Sequence, residues 1–106
     1  IHVVDLAKGH IKAIEKVLST TGVEAYNLGR GHGYSVLEII NAFEEASGQK
    51  VNYVIGERRA GDLAECYSDP SKAKAELGWK AELDIYKMCE DSWRWQKQNP
   101  NGFKSK

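Results

Sequence analysis

The 106-residue sequence predicts an α/β chain with about four helices and an incomplete sheet. Four stretches carry apolar residues at three- and four-residue spacing, short apolar runs alternate with them, and those runs number only three. Three strands make a poor sheet by themselves, so the core is expected to be incomplete. The abrupt start on Ile1-His2-Val3-Val4 reads as the middle of a strand and adds the expectation that residues 1–106 are one piece of a longer protein.

Asp5 follows that first run and is expected to cap a helix reaching about Thr20, in which Ala7, Ile11, Ile14 and Leu18 recur. Thr21-Gly22 breaks it, and Val23 to Leu28 reads as a strand feeding the turn Gly29-Arg30-Gly31-His32-Gly33. Ser35-Val36-Leu37-Glu38 is a Ser-x-x-Glu capping box. The Ser35 hydroxyl accepts a first-turn amide and Glu38 reaches back to the Ser35 amide, while Val36, Ile39, Ile40 and Phe43 supply the apolar face and Gly48 the stop. Val51 to Ile55 alternates as a further strand.

Asp69 is expected to cap, and Pro70 to open, a short helix through Leu77 that Gly78 ends. A last helix spans about Asp84 to Gln98 with Ile85, Met88, Cys89, Ser92 and Trp95 facing inward. Trp93 and Trp95 lie about 200° apart on it, so both cannot face the core. Asn99-Pro100-Asn101-Gly102 terminates it and leaves a basic tail expected to be mobile.

Fifteen basic and fifteen acidic residues balance, so no global field draws the chain to nucleic acid or an anionic membrane, and any anion site must be local. No apolar run reaches the ~18 residues a membrane span needs, and no leader pattern opens the chain, so neither membrane nor secretion is indicated. Cys66 and Cys89 have neither metal-ligand spacing nor a disulfide framework, which reads as a reducing compartment. His2, His10 and His32 share no ligand spacing, so no metal is expected. No Tyr is followed four residues later by Lys, and no self-contained acid–base site is visible; no catalytic residue is assigned.

Gly29-Arg30-Gly31-His32-Gly33 lies between a strand and a helix but lacks the last glycine of Gly-x-Gly-x-x-Gly, so it reads as a tight turn rather than a dinucleotide loop. The stretch Arg58-Arg59-Ala60-Gly61-Asp62 carries sharper chemistry. A guanidinium offers a planar cationic fork for phosphate, and a carboxylate offers acceptors for sugar hydroxyls. Three residues apart across Gly61, Arg59 and Asp62 can grip neighbouring parts of one hydroxyl-bearing polyanion, or simply pair with each other. Val36, at a helix entrance, is core or the wall of a base pocket.

The segments NLGRGHGYSVLEI, ERRAGDLAECYSDPSKAKAELGW and MCEDSWRWQKQNPNGF together resemble the carboxy-terminal part of the UDP-sugar 4-epimerases of the extended short-chain dehydrogenase/reductase family. The resemblance covers essentially all 106 residues. It implies that Arg59 contacts the UDP pyrophosphate, Asp62 the uridine ribose hydroxyls, and Val36 the uridine. Cys66 falls where the family varies between a bulky tyrosine and a smaller residue beside the sugar, which implies room for an acetamido group; the bland alternative is a small buried hydrophobe.

The resemblance further implies a cytoplasmic enzyme of galactose metabolism, a homodimer interconverting UDP-galactose and UDP-glucose. Its NAD and its catalytic residues belong to an amino-terminal domain outside this sequence, so residues 1–106 alone are expected to be inactive. Two alternatives stand beside it: another nucleotide-sugar dehydratase or decarboxylase of the family, and a stand-alone module that docks a partner protein. Without a covering domain the apolar faces would lie open, favouring low thermal stability or self-association.

Overall fold

The computed structural model describes residues 1–103, and its helices form where apolar spacing meets a capping residue. In chain order they are α1 (Val3–Val17), α2 (Val36–Ser47), α3 (Ser71–Leu77) and α4 (Ile85–Gln98). The basic tail of residues 104–106 lies outside the described residues. No helix among the described residues is long and apolar enough to cross a membrane.

Ser35 and Glu38 close the capping box that opens α2, with the Glu38 amide 3.2 Å from Ser35 Oγ and the Ser35 amide 2.7 Å from Glu38 Oε2. The bond from the Ser35 amide holds the Glu38 carboxyl below its ordinary pKa. Asp84 caps α4 through the Lys87 amide at 2.9 Å. At α3 the boundary moves by one residue: Pro70 itself sits at the cap position, while the Asp69 carboxylate accepts from the Ser71 amide and hydroxyl.

The amino terminus departs from expectation. Ile1 to Val4 is not a strand, and the cap of α1 is His2 rather than Asp5. Val4 donates its amide to His2 Nδ1 at 3.1 Å, so that nitrogen is bare and Nε2 carries the proton toward Asp91 Oδ2, 3.1 Å away on α4. Asp5 is spent elsewhere. Completely buried, its Oδ2 accepts from the Glu82 and Leu83 amides at 3.0 and 2.8 Å, and its carbonyl accepts from Trp79 Nε1 at 2.9 Å.

The other two predicted strands, Val23 to Leu28 and Val51 to Ile55, have no regular secondary structure, and no strand forms among the described residues. A strand exists through a ladder, and neither segment finds backbone to pair with. Side chains hold them instead: Val51 donates its amide to Glu44 Oε1 at 2.7 Å. Tyr26 bonds Glu76 at 2.6 Å, and Lys72 pairs with Glu24 while lying 4.8 Å from the Tyr26 ring centre.

Two pairings organise the helices. α2 lies against α4, where Phe43 and Trp93 meet edge to face with ring centres 5.9 Å apart. Trp93 is therefore the inward tryptophan, whereas Trp95 is 46% exposed and Ser92 is also outside, contrary to the expected face. α1 meets α3 around the small core of Ala73, Leu77, Trp79 and Ala81. Cys89 is buried, which pushes its thiol pKa up.

That core is too small for the chain. The Cα radius of gyration is 17.3 Å, against about 13 Å for a compact domain of this length. The accessible surface is 8726 Å², against about 5900 Å² for a folded monomer of this mass. Much of the excess is apolar, including Ile11, Ile14, Val17, Val54 and Ile55.

Candidate functional site

Three of the site candidates, Arg59, Asp62 and Cys66, lie on the segment between α2 and α3, and the fourth, Val36, opens α2. Arg59 to Asp62 forms a four-residue turn closed by the Asp62 amide on the Arg59 carbonyl at 3.2 Å. Gly61 occupies its third position at φ 87°, a left-handed conformation that disfavours any side chain. Because the turn reverses the chain there, Arg59 and Asp62 meet. Asp62 Oδ1 lies 3.2 Å from Arg59 Nη2, and Oδ2 accepts from the Arg59 amide and Nε at 3.1 and 3.4 Å. Arg58 adds a bond from Nη2 to the Asp62 carbonyl at 2.7 Å.

The pair faces solvent, with the Arg59 side chain 86% and the Asp62 side chain 38% exposed. Exposed pairs of this kind contribute only about 0–1 kcal/mol. The guanidinium is thus held near its carboxylate without being committed to it.

Cys66 is exposed, four residues beyond Asp62. Val36, the first residue of α2, is 73% exposed rather than core. The Gly29–Gly33 turn links these two positions physically. A Cβ at Gly29 would stand 2.0 Å from Ser68 Oγ, one at Gly31 would touch Pro70, and one at Gly33 would lie 3.9 Å from the Cys66 carbonyl. At Gly29 the missing side chain leaves room for Ser68, and Gly31 and Gly33 lie in contact with Pro70 and with Glu65 to Tyr67, so the turn that aims α2 and Val36 also packs on the segment carrying Cys66. No hydrogen bond joins Val36 or Cys66 to the Arg59–Asp62 pair among the described residues.

Two anchors of this arrangement escaped the sequence. Arg30 Nη1 bonds the Leu83 carbonyl, tying the glycine turn to the same residue whose amide Asp5 receives. Its one available signal was a lone guanidinium inside a glycine-rich turn. Ser68 gave no signal at all. Ser68 fills the space over Gly29, and the turn lacks the last glycine of a dinucleotide loop, so the residues of this chain do not fit NAD at that turn.

A profile of the family described as GDP-mannose 4,6 dehydratase matches residues 3–92. The chain belongs to this family. Membership agrees with the extended short-chain dehydrogenase/reductase resemblance carried by Arg58–Asp62 and Glu76–Trp79. The chain is similar to UDP-glucose 4-epimerase of Bacillus subtilis, 62% identical over 99% of this chain and 31% of that protein. It is 60% identical to UDP-glucose 4-epimerase of Drosophila melanogaster, over 100% of this chain and 31% of that protein. The crystal structure of UDP-glucose 4-epimerase from Bifidobacterium longum, in complex with NAD+ and UDP, superposes with a TM-score of 0.89 at 59% identity. That match covers 97% of this chain and 30% of the other. The chain thus spans about a third of the length of the relatives it matches.

Proposed function

We propose that residues 1–106 are the carboxy-terminal, UDP-sugar-binding part of a cytoplasmic UDP-glucose 4-epimerase, which interconverts UDP-galactose and UDP-glucose and acts as a homodimer. The observation that carries this reading is the match of nearly all of this chain to about a third of named 4-epimerases, including one solved with NAD+ and UDP, by a chain whose exposed Arg59–Asp62 turn has the chemistry UDP requires. Relatives named as epimerases disfavour the dehydratase and decarboxylase alternative, and the docking-module alternative would leave the Arg59–Asp62 turn without a task. The excess surface and unpaired apolar segments support a protein in which a further domain completes the sheet.

In this assignment each residue acts as its chemistry allows. Arg59 releases Asp62 and lays its fork on the pyrophosphate; Asp62 turns its oxygens to the ribose hydroxyls; Val36 walls the uracil; Cys66 borders the sugar and leaves room for an acetamido group. This chain holds the nucleotide handle while the sugar stays free to react. NAD, which supplies the redox chemistry in such enzymes, is assigned to the preceding domain, and no step through it is derived from these residues.

The test uses the full-length protein. Arg59→Ala removes a charge-assisted contact of about 1.5–3 kcal/mol, so UDP affinity should fall roughly ten- to a hundredfold. Unchanged affinity would remove the basis for assigning Arg59 to the diphosphate. Product analysis must show epimerised sugar with no net redox change and no carbon loss; any other outcome favours a different nucleotide-sugar enzyme.

A further inference from the structure

A cavity of about 200 Å³ opens between the glycine turn, α3 and the segment after it, lined by Gly29, Arg30, Pro70, Lys74, Trp79 and Lys80 among others. Three of its lining residues are cations and none is acidic. Six other cations, Lys8, Lys12, Arg59, Lys72, Lys87 and Arg94, each pair with a carboxylate within 4 Å. Arg30, Lys74 and Lys80 form no such pair among the described residues. In a chain of zero net charge, three unneutralised cations around one cavity make a local positive field that composition alone hides.

Arg30 adds a second, independent observation. Its Nη1 is used by the Leu83 carbonyl, but its Nε is buried with no hydrogen-bond partner, a state that carries a desolvation penalty. Trp79, almost fully buried and fixed by its bond to the Asp5 carbonyl, forms a rigid wall. Of the carboxylates bonded around the cavity, Asp69 is engaged by the amide and hydroxyl of the lining residue Ser71, and Asp5 by the Glu82 and Leu83 amides. A compact oxyanion supplies what this arrangement lacks: counter-charge for the Arg30 guanidinium and for the two exposed lysines that line the same cavity.

We propose that this cavity is a site for a phosphate-class oxyanion, either inorganic phosphate or the phosphate of a small phosphomonoester. Its lining includes none of Arg59, Asp62, Val36 or Cys66, so it does not depend on the assignment of those residues.

Inorganic phosphate is titrated into the full-length protein at constant ionic strength, followed by calorimetry and by 31P line width. Lys74 and Lys80 are exposed, so the double variant Lys74→Gln/Lys80→Gln should fold normally, and it should weaken phosphate binding roughly tenfold. Lys50→Gln/Lys97→Gln removes the same charge elsewhere and should leave it unchanged. A phosphomonoester such as glycerol phosphate, titrated in parallel, separates the two sources: tighter binding than phosphate identifies the ester as the ligand, and equal or weaker binding identifies the free anion. The proposal is overturned if phosphate does not bind, if the Lys74/Lys80 variant binds like wild type, if the control pair loses as much, or if saturating UDP displaces the phosphate. Independent UDP titration keeps the two proposals apart, since loss of UDP binding alone would leave this one standing.

Discussion

Gly29→Ala tests whether the glycine turn and the loop that follows Asp62 are one packed unit. The new methyl would stand 2.0 Å from Ser68 Oγ and 3.4 Å from Ser68 Cβ, so the hydroxyl must move while the rest of the residue need barely shift. Ser68 makes no hydrogen bond among the described residues, hence rotation forfeits none, and the cost is that of a less favoured rotamer and local crowding, about 1 kcal/mol. Gly29 is not at positive φ, so the backbone itself accepts alanine. In a Ser68→Ala background the obstacle is gone and only the reduced freedom of the unfolded chain remains, worth about 0.4–1 kcal/mol in favour of folding.

The same substitution should therefore destabilise in one background and stabilise in the other, a coupling of about 1.5–2 kcal/mol. Urea midpoints of the full-length protein and its three variants, compared at equal slope, read it directly. On the proposed function, UDP-sugar affinity falls in Gly29→Ala and recovers in the double variant, because the segment bearing Cys66 returns to place. Additive effects, with Gly29→Ala destabilising equally in both backgrounds, would refute the packed unit.

Asp5→Ala leaves the Glu82 and Leu83 amides without their acceptor and should cost about 3 kcal/mol, read as a lowered urea midpoint. Ser35→Ala removes the hydroxyl cap of α2 and should cost about 1 kcal/mol, while the Glu38 carboxyl pKa rises only part of the way in NMR titration, because the amide of residue 35 remains. The bond to Glu76 pushes the Tyr26 pKa to about 12, so its contribution is present below the unfolded value near 10 and lost as pH rises through about 12. Phenolate absorbance should show one late-titrating tyrosine that returns toward 10 in Glu76→Gln. The 106-residue chain by itself, with about 2800 Å² more surface than a compact monomer, should self-associate or unfold at low temperature, read by light scattering and calorimetry.

What the sequence shows and conceals follows from the range of the interactions. Ser35 and Glu38, or Asp84 and Lys87, lie three residues apart, so spacing alone places the starts of α2 and α4. The turn at Gly61 is equally local and brings Arg59 onto Asp62. His2 meets Asp91 89 residues away and Asp5 meets Leu83 78 residues away, which no local pattern can signal, and an apolar run with a following aspartate mimics strand and cap. Trp95 has helical spacing as good as that of Trp93; the difference is Phe43, on another helix. Ladders are the extreme case, since apolar alternation in Val51 to Ile55 specifies readiness to pair but no partner.

The closed ion pair of Arg59 and Asp62 bears on the proposed function through magnitudes rather than through its mere presence. Releasing an exposed pair costs about 0–1 kcal/mol, whereas one charge-assisted contact to a diphosphate contributes about 1.5–3 kcal/mol. On the proposed function a diphosphate therefore wins the competition for the guanidinium, and Asp62, freed at the same moment, becomes available to sugar hydroxyls. The Asp62 amide on the Arg59 carbonyl and the Arg58 bond to the Asp62 carbonyl are both backbone-directed, so the turn keeps its shape when the side chains part. Pairing in the ligand-free chain holds both side chains on one turn, which on that reading lowers the ordering cost of binding.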